Sequence, residues 1–373
     1  MPNATNVVPE QIKVGLEKES TWGTDPAGTP ILIPVDAPDL KEEVAHIADE
    51  GLRGLFARDF EGYGGLRQVT GSLGGIFYGT SDAAETSLAS PVAHILAALL
   101  GGTAATQIGA TNDYIHDFYT TELPGSLTLT VEDSLTAAQT TPHYVGVMFP
   151  RLTLRYNGGE GLLTWEADIL GLRQQWPNSA GSIAADKTGQ AFIGWQSSVH
   201  FGTAAANPTA LAKVISAEIV IERELMLVSG ASNQQYAQNR AARPPRVTFT
   251  AVVEFVDYAD YKLYSDDTND HSSNQQAWTF RFCNKAAVHT QTGDSSLSLA
   301  AGDAVLDIRL HTVSYGESAL TISRGEAPNT MEFAGRSLYT PSPTWFGATP
   351  PTAARTGQSL IQIRLINQRT TAY

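Results

Sequence analysis

Between closely spaced glycines and prolines, most of this chain alternates apolar with polar residues. That period-two pattern restricts it to antiparallel strands buried on one face. Glycine occurs 33 times and proline 19 times, often enough to cut the alternating runs to strand length. The clearest runs are Ser126 to Val131 (SLTLTV), Arg151 to Tyr156 (RLTLRY), Leu162 to Leu172 (LLTWEADILGL) and Val214 to Leu227 (VISAEIVIERELML). Val247 to Val256 (VTFTAVVEFV), Val305 to Val313 (VLDIRLHTV) and Leu360 to Ile366 (LIQIRLI) follow the same rule. Helix is scarce, and its clearest case is Ser90 to Leu100, where Ser90 can cap, Pro91 takes the first helical position and Gly101-Gly102 supplies the stop. A second short helical turn is expected over Tyr258 to Tyr264.

With 42% hydrophobic and 17% charged residues in 373, the chain can bury a full core and is not of disordered composition. The 24 Lys and Arg against 38 Asp and Glu leave a net charge of −14. Binding a duplex by neutralising phosphates requires the opposite sign, so that class is excluded. The single cysteine, Cys283, allows neither an intramolecular disulfide nor a cysteine-ligated zinc site. The first twenty residues lack a basic segment followed by an apolar run, and no 18-residue apolar stretch occurs. The expectation is a protein made and kept in a cytoplasm.

Laid on each other, the two halves repeat the order of their elements. Gln68-Val69-Thr70-Gly71-Ser72-Leu73 leads to Ile76-Phe77, and Arg246-Val247-Thr248-Phe249-Thr250-Ala251 leads to Glu254-Phe255. SLTLTVED, from Ser126 to Asp133, answers SLSLAAGD, from Ser296 to Asp303. The offsets, 247 − 69 = 178 and 296 − 126 = 170, drift as loop insertions would make them. Two domains are therefore expected, over residues 1–180 and 181–373, with Trp176 to Gly189 as the Ser, Ala and Gly-rich linker.

Chemistry-bearing motifs are sparse. Glu61-Gly62-Tyr63-Gly64-Gly65 and Asn157-Gly158-Gly159-Glu160-Gly161 precede no helix and lack the Lys-Ser/Thr of a phosphate loop, so both read as turns. The eight histidines are scattered, and Asp266-Asp267-Thr268-Asn269-Asp270-His271 lacks the ligand alternation and central glycine of a calcium loop. No G-x-S-x-G elbow occurs. Glu166 and Asp168 share a strand face, which suits either a glycosidase carboxylate pair or an ordinary wet face. No catalytic, cofactor-binding or metal-ligating residue is expected.

Acids do concentrate on particular strand faces. Glu218, Glu222 and Glu224 are expected on one face of Val214 to Leu227, opposite Ile219, Ile221 and Leu225. Glu166 and Asp168 likewise oppose Leu163, Trp165 and Ile169. Thr21 to Pro38, Leu52 to Leu66 and Ser337 to Gly357 read as long loops. Two of these carry aromatics in search of a partner surface: Phe56, Phe60 and Tyr63 in one, Tyr339, Trp345 and Phe346 in the other.

The chain resembles the major tail tube proteins of long, non-contractile-tailed bacteriophages. The resemblance lies in QIKVGLEKESTWG (Gln11 to Gly23), the acidic DLKEE and ADEGL between Pro34 and Gly54, VTGSLGGIFY, and the helix running into ALLGG. Phe192-Ile193-Gly194-Trp195, VISAEIVIEREL and the Pro244-Pro245 stretch into VTFTAVVEF extend it through the second half. It implies two tandem tail-tube-type β-sandwich or barrel domains, each with a short flanking helix, plus long loops and a C-terminal arm. It further implies rings stacked into a tube that passes the genome and catalyses nothing. Single-unit members close with six copies, so a two-unit chain is expected to close with three.

The candidate channel lining is then Glu166, Asp168, Glu218, Glu222 and Glu224, an acidic wall that cannot hold DNA. Implied partners are further copies of the chain, a tape measure protein, a tail terminator and tail tip proteins, with genomic DNA passing unbound. The implied location is the virion tail, assembled in the host cytoplasm. Removing Ser337 to Tyr373 is expected to leave a folded chain unable to polymerise. Competing readings are a tail terminator, a contractile-tail tube, a decoration protein, or a carbohydrate-active tail β-sandwich.

Overall fold

The computed structural model describes residues 12–36, 38–49, 61–79, 90–102, 105–107, 113–132, 141–159, 161–176, 183, 189–201, 209–210, 214–231, 234–255, 276–284, 303–321, 329–339, 360–367 and 369. The first half holds β1 (Lys13–Lys18), β2 (Ile31–Ile33), β3 (Asp39–Asp49), β4 (Glu61–Ile76), α1 (Pro91–Leu99), β5 (Thr106–Gln107) and β6 (Tyr114–Phe118). It continues with β7 (Leu127–Glu132), β8 (His143–Asn157), β9 (Thr164–Gly171) and β10 (Arg173–Gln175). The second half holds β11 (Ser198–Phe201), β12 (Thr209–Ala210), β13 (Val214–Glu222), β14 (Leu225–Val228) and β15 (Asn239–Ala242). It ends with β16 (Arg246–Glu254), β17 (Gln276–Cys283), β18 (Val305–Thr321), β19 (Thr330–Ser337) and β20 (Gln362–Asn367).

Every pairing is antiparallel, and the pairing scheme recurs. In the first half the order is β2-β1-β7-β8-β10, and β8 then continues into a second sheet, β8-β9-β4-β3. In the second half it is β12-β11-β17-β18-β20, with β18 continuing into β18-β19-β16-β13. Even the irregularities correspond. Met148 faces Leu170 and Arg151 faces Asp168 across a bulge; Ser314 faces Arg336 and Glu317 faces Ala334 across another, each 166 residues on (314 − 148, 317 − 151). Bulges of this kind let one strand bend from one sheet into its partner.

The sequence match of Val69 with Val247 coincides with strand register, since Ser72 pairs with Asp168 as Thr250 pairs with Ala334. The match of Ser126 with Ser296 falls on residues 296–302, which lie outside the described residues. Among the described strands, the one that stands where β7 stands is β17, at Gln276–Cys283, because β7 pairs with β8 through the same bulge by which β17 pairs with β18.

The two halves interlock at β8 with β13 and at β6 with β20. One hydrophobic core runs through both, from Val14, Leu129 and Phe77 to Trp278, Phe280 and Ile363. Helix α1 lies inside it, packed on β8 and β2. Its start differs from expectation: the Ser90 carbonyl accepts from Ala93 N at 3.0 Å, but the Ser90 side chain makes no capping bond. Its stop is as expected, with Gly101 at φ +119°, where a Cβ would strike Thr121.

Polar groups taken into this interior are satisfied in sets. The buried Glu19 carboxylate accepts from Gly23 N (2.8 Å), Ser126 Oγ (2.7 Å), Thr128 Oγ1 (2.8 Å) and Gly146 N (2.6 Å), tying β1 to β7 and β8. Arg281, Asp307, Arg364 and Asp117 stand directly opposite one another on β17, β18, β20 and β6, a buried row of alternating charge. Arg281 meets Asp307 at 2.6 Å and Arg364 meets Asp117 at 2.8 Å.

Several segments depart from their sequence reading. Glu61 to Gly65 is not a turn but the start of β4, because it hydrogen-bonds as an arm with Asp39–Asp49, a strand to which the sequence reading gave no assignment. Val214 to Leu227 is two strands broken at Arg223. The buried Arg223 guanidinium donates to Leu99 O (3.0 Å), Thr121 O (2.6 Å), Glu122 O (2.5 Å) and Arg243 O (3.1 Å), which pulls the chain out of the sheet at the C-terminal end of α1. Deleting the chain from Ser337 onward would remove β20, buried along its length between β18 and β6, so such a chain would lose its core rather than only an arm. The turn over Tyr258 to Tyr264 lies outside the described residues, as does most of the linker from Trp176 to Gly189.

Asp307→Ala should leave Arg281 buried without its counter-charge and cost about 3–5 kcal/mol by denaturant unfolding of the unassembled chain. A loss below about 1 kcal/mol would contradict the role given to the buried row. Burial, assisted by the charge of Arg369, pushes the His94 and His116 imidazoles down to about 3 and about 4 from 6.5. The unfolded chain then binds protons that the native fold refuses. Stability is full above pH 6.5 and falls below it, by up to about 1.4 kcal/mol per pH unit for each histidine. Urea midpoints taken between pH 7.5 and 5 should drop on the acid side, and His94→Gln should flatten that slope.

Candidate functional site

The second sheets of the two halves join at β8 and β13 into one run of eight strands, β3-β4-β9-β8-β13-β16-β19-β18. Residues directly opposite in an antiparallel pair point to the same side, so register carries each face across the whole run. One face holds Val69, Leu73, Trp165, Ala167, Leu152, Leu154, Ile219, Ile221, Val247 and Phe249, all in the core. The other carries the charges.

On that polar face stand Asp39, Lys41 and Glu43 of β3, Glu166 and Asp168 of β9, and Arg151 and Arg155 of β8. Glu218 and Glu222 of β13, Arg246 and Glu254 of β16, Glu332 and Arg336 of β19 and, by register, Glu317 of β18 share it. Acids outnumber bases at these positions by nine to five, so the face alternates in charge rather than being acidic throughout. Arg155 sits between two strands of carboxylates, 2.7 Å from Glu166 and 2.9 Å from Glu218. Those hydrogen bonds hold its guanidinium above the usual arginine value, Glu166 contributing most. Arg151 lies 3.9 Å from Glu222 and directly opposite Asp168. The three groups of the Arg155 cluster are each between 43% and 49% exposed, so water screens them and each pair contributes little to stability.

Of the five expected lining residues, Glu166, Asp168, Glu218 and Glu222 are brought onto this one face. Glu224 is not. The chain leaves the sheet at Arg223, and Glu224 pairs with Arg243 at 3.2 Å beside the β14–β15 hairpin. Arg151 and Arg155 are the residues that the sequence reading left out. The run RLTLRY already puts both on the polar side of a period-two strand, but only the neighbour order β9-β8-β13 places them between the acids.

Of the aromatics, Tyr63 lies on β4 in the β3–β4 arm, 50% exposed, and Tyr339 follows β19, 62% exposed. Phe56, Phe60, Trp345 and Phe346 lie outside the described residues. Val44, Ile47 and Leu66 share the arm with Tyr63 and are also exposed. At its base the arm reaches the second half, with Arg67 N donating to Gln235 O at 2.7 Å and Gln235 Nε2 donating to Gly64 O at 3.2 Å.

Among the described residues of the polar face, the carboxylates are not set as a glycosidase pair. Glu166 is ion-paired to Arg155 on an open sheet rather than facing a second acid across a cleft. Among the described residues, no group of three His, Cys, Asp or Glu side chains converges as metal ligands would.

No curated protein sequence matches the chain. A family model described as phage tail tube protein matches residues 10–335, a span that includes all eight strands of the charged sheet except the end of β19. The chain belongs to the phage tail tube protein family.

Proposed function

We propose that three copies of this chain close into a ring with pseudo-sixfold symmetry, and that rings stack into a phage tail tube whose bore is lined by the polar face of the eight-stranded sheet. The observation that carries this reading is the sheet itself: one side is buried core, the other is charged and half exposed, and its strand pattern occurs twice per chain. A chain with two such units fills two places in a six-place ring, which favours three copies over six. On this reading the chain comprises a first unit over 1–180 and a second over 181–373.

Passage of DNA then follows from how the charges are committed. Phosphates bind where cations are available to displace condensed counterions. On this face Arg155 is already held by Glu166 and Glu218, and Arg151 lies near Glu222, so a sliding duplex meets arginines that its phosphates would have to win from carboxylates. The net acid excess adds a weak repulsion. The wall neither grips nor needs a sequence.

Stacking calls for a second surface. The β3–β4 arm, with Val44, Ile47, Tyr63 and Leu66 exposed, suits docking on the next ring, a head-to-tail contact that extends without closing. Within the virion tail the tube would meet a tape measure protein inside it, a terminator at one end and tip proteins at the other.

Negative-stain microscopy of the purified chain under polymerising conditions should show tubes of constant bore; discrete capped particles would favour a terminator or decoration role instead. Phage carrying Asp168→Arg with Glu222→Arg should eject DNA several-fold more slowly, with the chain's stability changed by less than about 1 kcal/mol. Glu224→Arg, off the face, should eject normally. Equal rates for all three would remove the polar face from the bore.

A further inference from the structure

Three of the bases on the polar face are held by acids. Lys41 lies 2.7 Å from Glu43, Arg155 is shared by Glu166 and Glu218, and Arg151 lies 3.9 Å from Glu222. Among the described residues no carboxylate stands within ion-pair distance of the other two, Arg246 and Arg336. Glu222 faces Arg246 across the ladder, but the ion pair it makes is with Arg151. Both uncommitted arginines are exposed, and both line one groove of about 550 Å³ together with Thr248, Thr250, Ser314 and Ala334. Gly316, at the β18 bulge, leaves that groove open, since a Cβ there would meet nothing within 4 Å.

The chain's own repeat shows that this combination is particular to the second unit. Ser314, Arg336 and Thr248 stand opposite one another across β18, β19 and β16. The same places across β8, β9 and β4 hold Met148, Leu170 and Thr70, and the place of Arg246 holds Gln68. Met148 is buried. One backbone scheme therefore carries an apolar pair in the first unit and an arginine beside a hydroxyl in the second. Ala334, in turn, stands where the first unit has Asp168. The carboxylate that could have answered Arg336 from its own strand is missing.

We infer that this groove binds one free oxyanion of the size and charge of phosphate. The guanidinium N–H groups of Arg246 and Arg336 would donate to its oxygens, and the hydroxyls of Thr248, Thr250 and Ser314 supply further donors. A guanidinium presents paired N–H groups that match two phosphate oxygens, and such charge-assisted bonds are the strong ones. A phosphodiester chain offers the same chemistry, but it would also bring neighbouring phosphates over Glu222, Glu254 and Glu332 on the same face. A single ion meets the arginines without that repulsion, which favours the free ion. If this face lines a bore, the bound ion does for Arg246 and Arg336 what Glu166 and Glu218 do for Arg155.

The groove lies within one chain, so its test needs no assembly. Isothermal titration of the full, unassembled chain with inorganic phosphate at low salt should give saturable binding of one ion per chain. Sulfate should compete, and added salt should weaken binding. Arg246→Gln and Arg336→Gln, both at exposed positions, should each weaken it by about ten-fold or more, as loss of a charge-assisted contact implies. Ala334→Asp, which restores the acid of the first unit, should abolish it, and Lys41→Gln should leave it unchanged. Urea midpoints of the variants verify that each is folded. Absence of saturable binding, or binding that both arginine variants retain in full, overturns the site and leaves the tube reading standing. A short single-stranded oligonucleotide that binds more tightly than phosphate, with the same dependence on both arginines, overturns the free ion and makes the groove a contact for nucleic-acid backbone.

Discussion

An open sheet ends in two rows of unshared main-chain hydrogen-bonding groups, and the architecture here is organised by how those rows are met. Inside the chain the problem is solved once, where β8 takes β13 as its neighbour through seven consecutive pairs. That junction makes one eight-stranded surface out of two four-stranded ones. It also fixes which residues share a side, because in a pleated sheet register and facing are the same fact. The charged surface, the continuous core and the identity of the free edges are consequences of that one ladder.

The surface so formed shows how a wall can carry many charges without becoming sticky. Nine acids against five bases is a mild excess. What matters more is that Arg155 is spent on Glu166 and Glu218. Pairs this exposed are weak in themselves, so they order the pattern of charge on the face while adding little to stability. The strong electrostatics are elsewhere, in the buried row of Arg281, Asp307, Arg364 and Asp117, where charge serves to join the halves.

Much of the fold was legible because period two is a local signal. The seven alternating runs all fall on strands, and the α1 region was marked by Pro91 and Gly101. The start of β4 reads as loop because its residues are polar or glycine, and β3 carries no clear alternation; what makes them strands is each other, a pairing with no local signature. Glu224 was misplaced for a related reason. Alternation through Val214 to Leu227 looks unbroken, and only the tertiary anchor of Arg223 under α1 shows that the chain turns there. The arginines interleaved with the acids were visible in RLTLRY but meaningless until strand order made them neighbours of Glu166 and Glu218. Sequence carries facing well; it carries adjacency poorly.

An electron cryo-microscopy reconstruction of the assembled tube, at a resolution that traces strands, addresses the central idea most directly. The account predicts three chains per ring, with Asp168, Glu218 and Glu222 turned toward the bore and the core face turned outward. Six chains per ring, or a bore lined by any surface other than the β3 to β18 sheet, would contradict it.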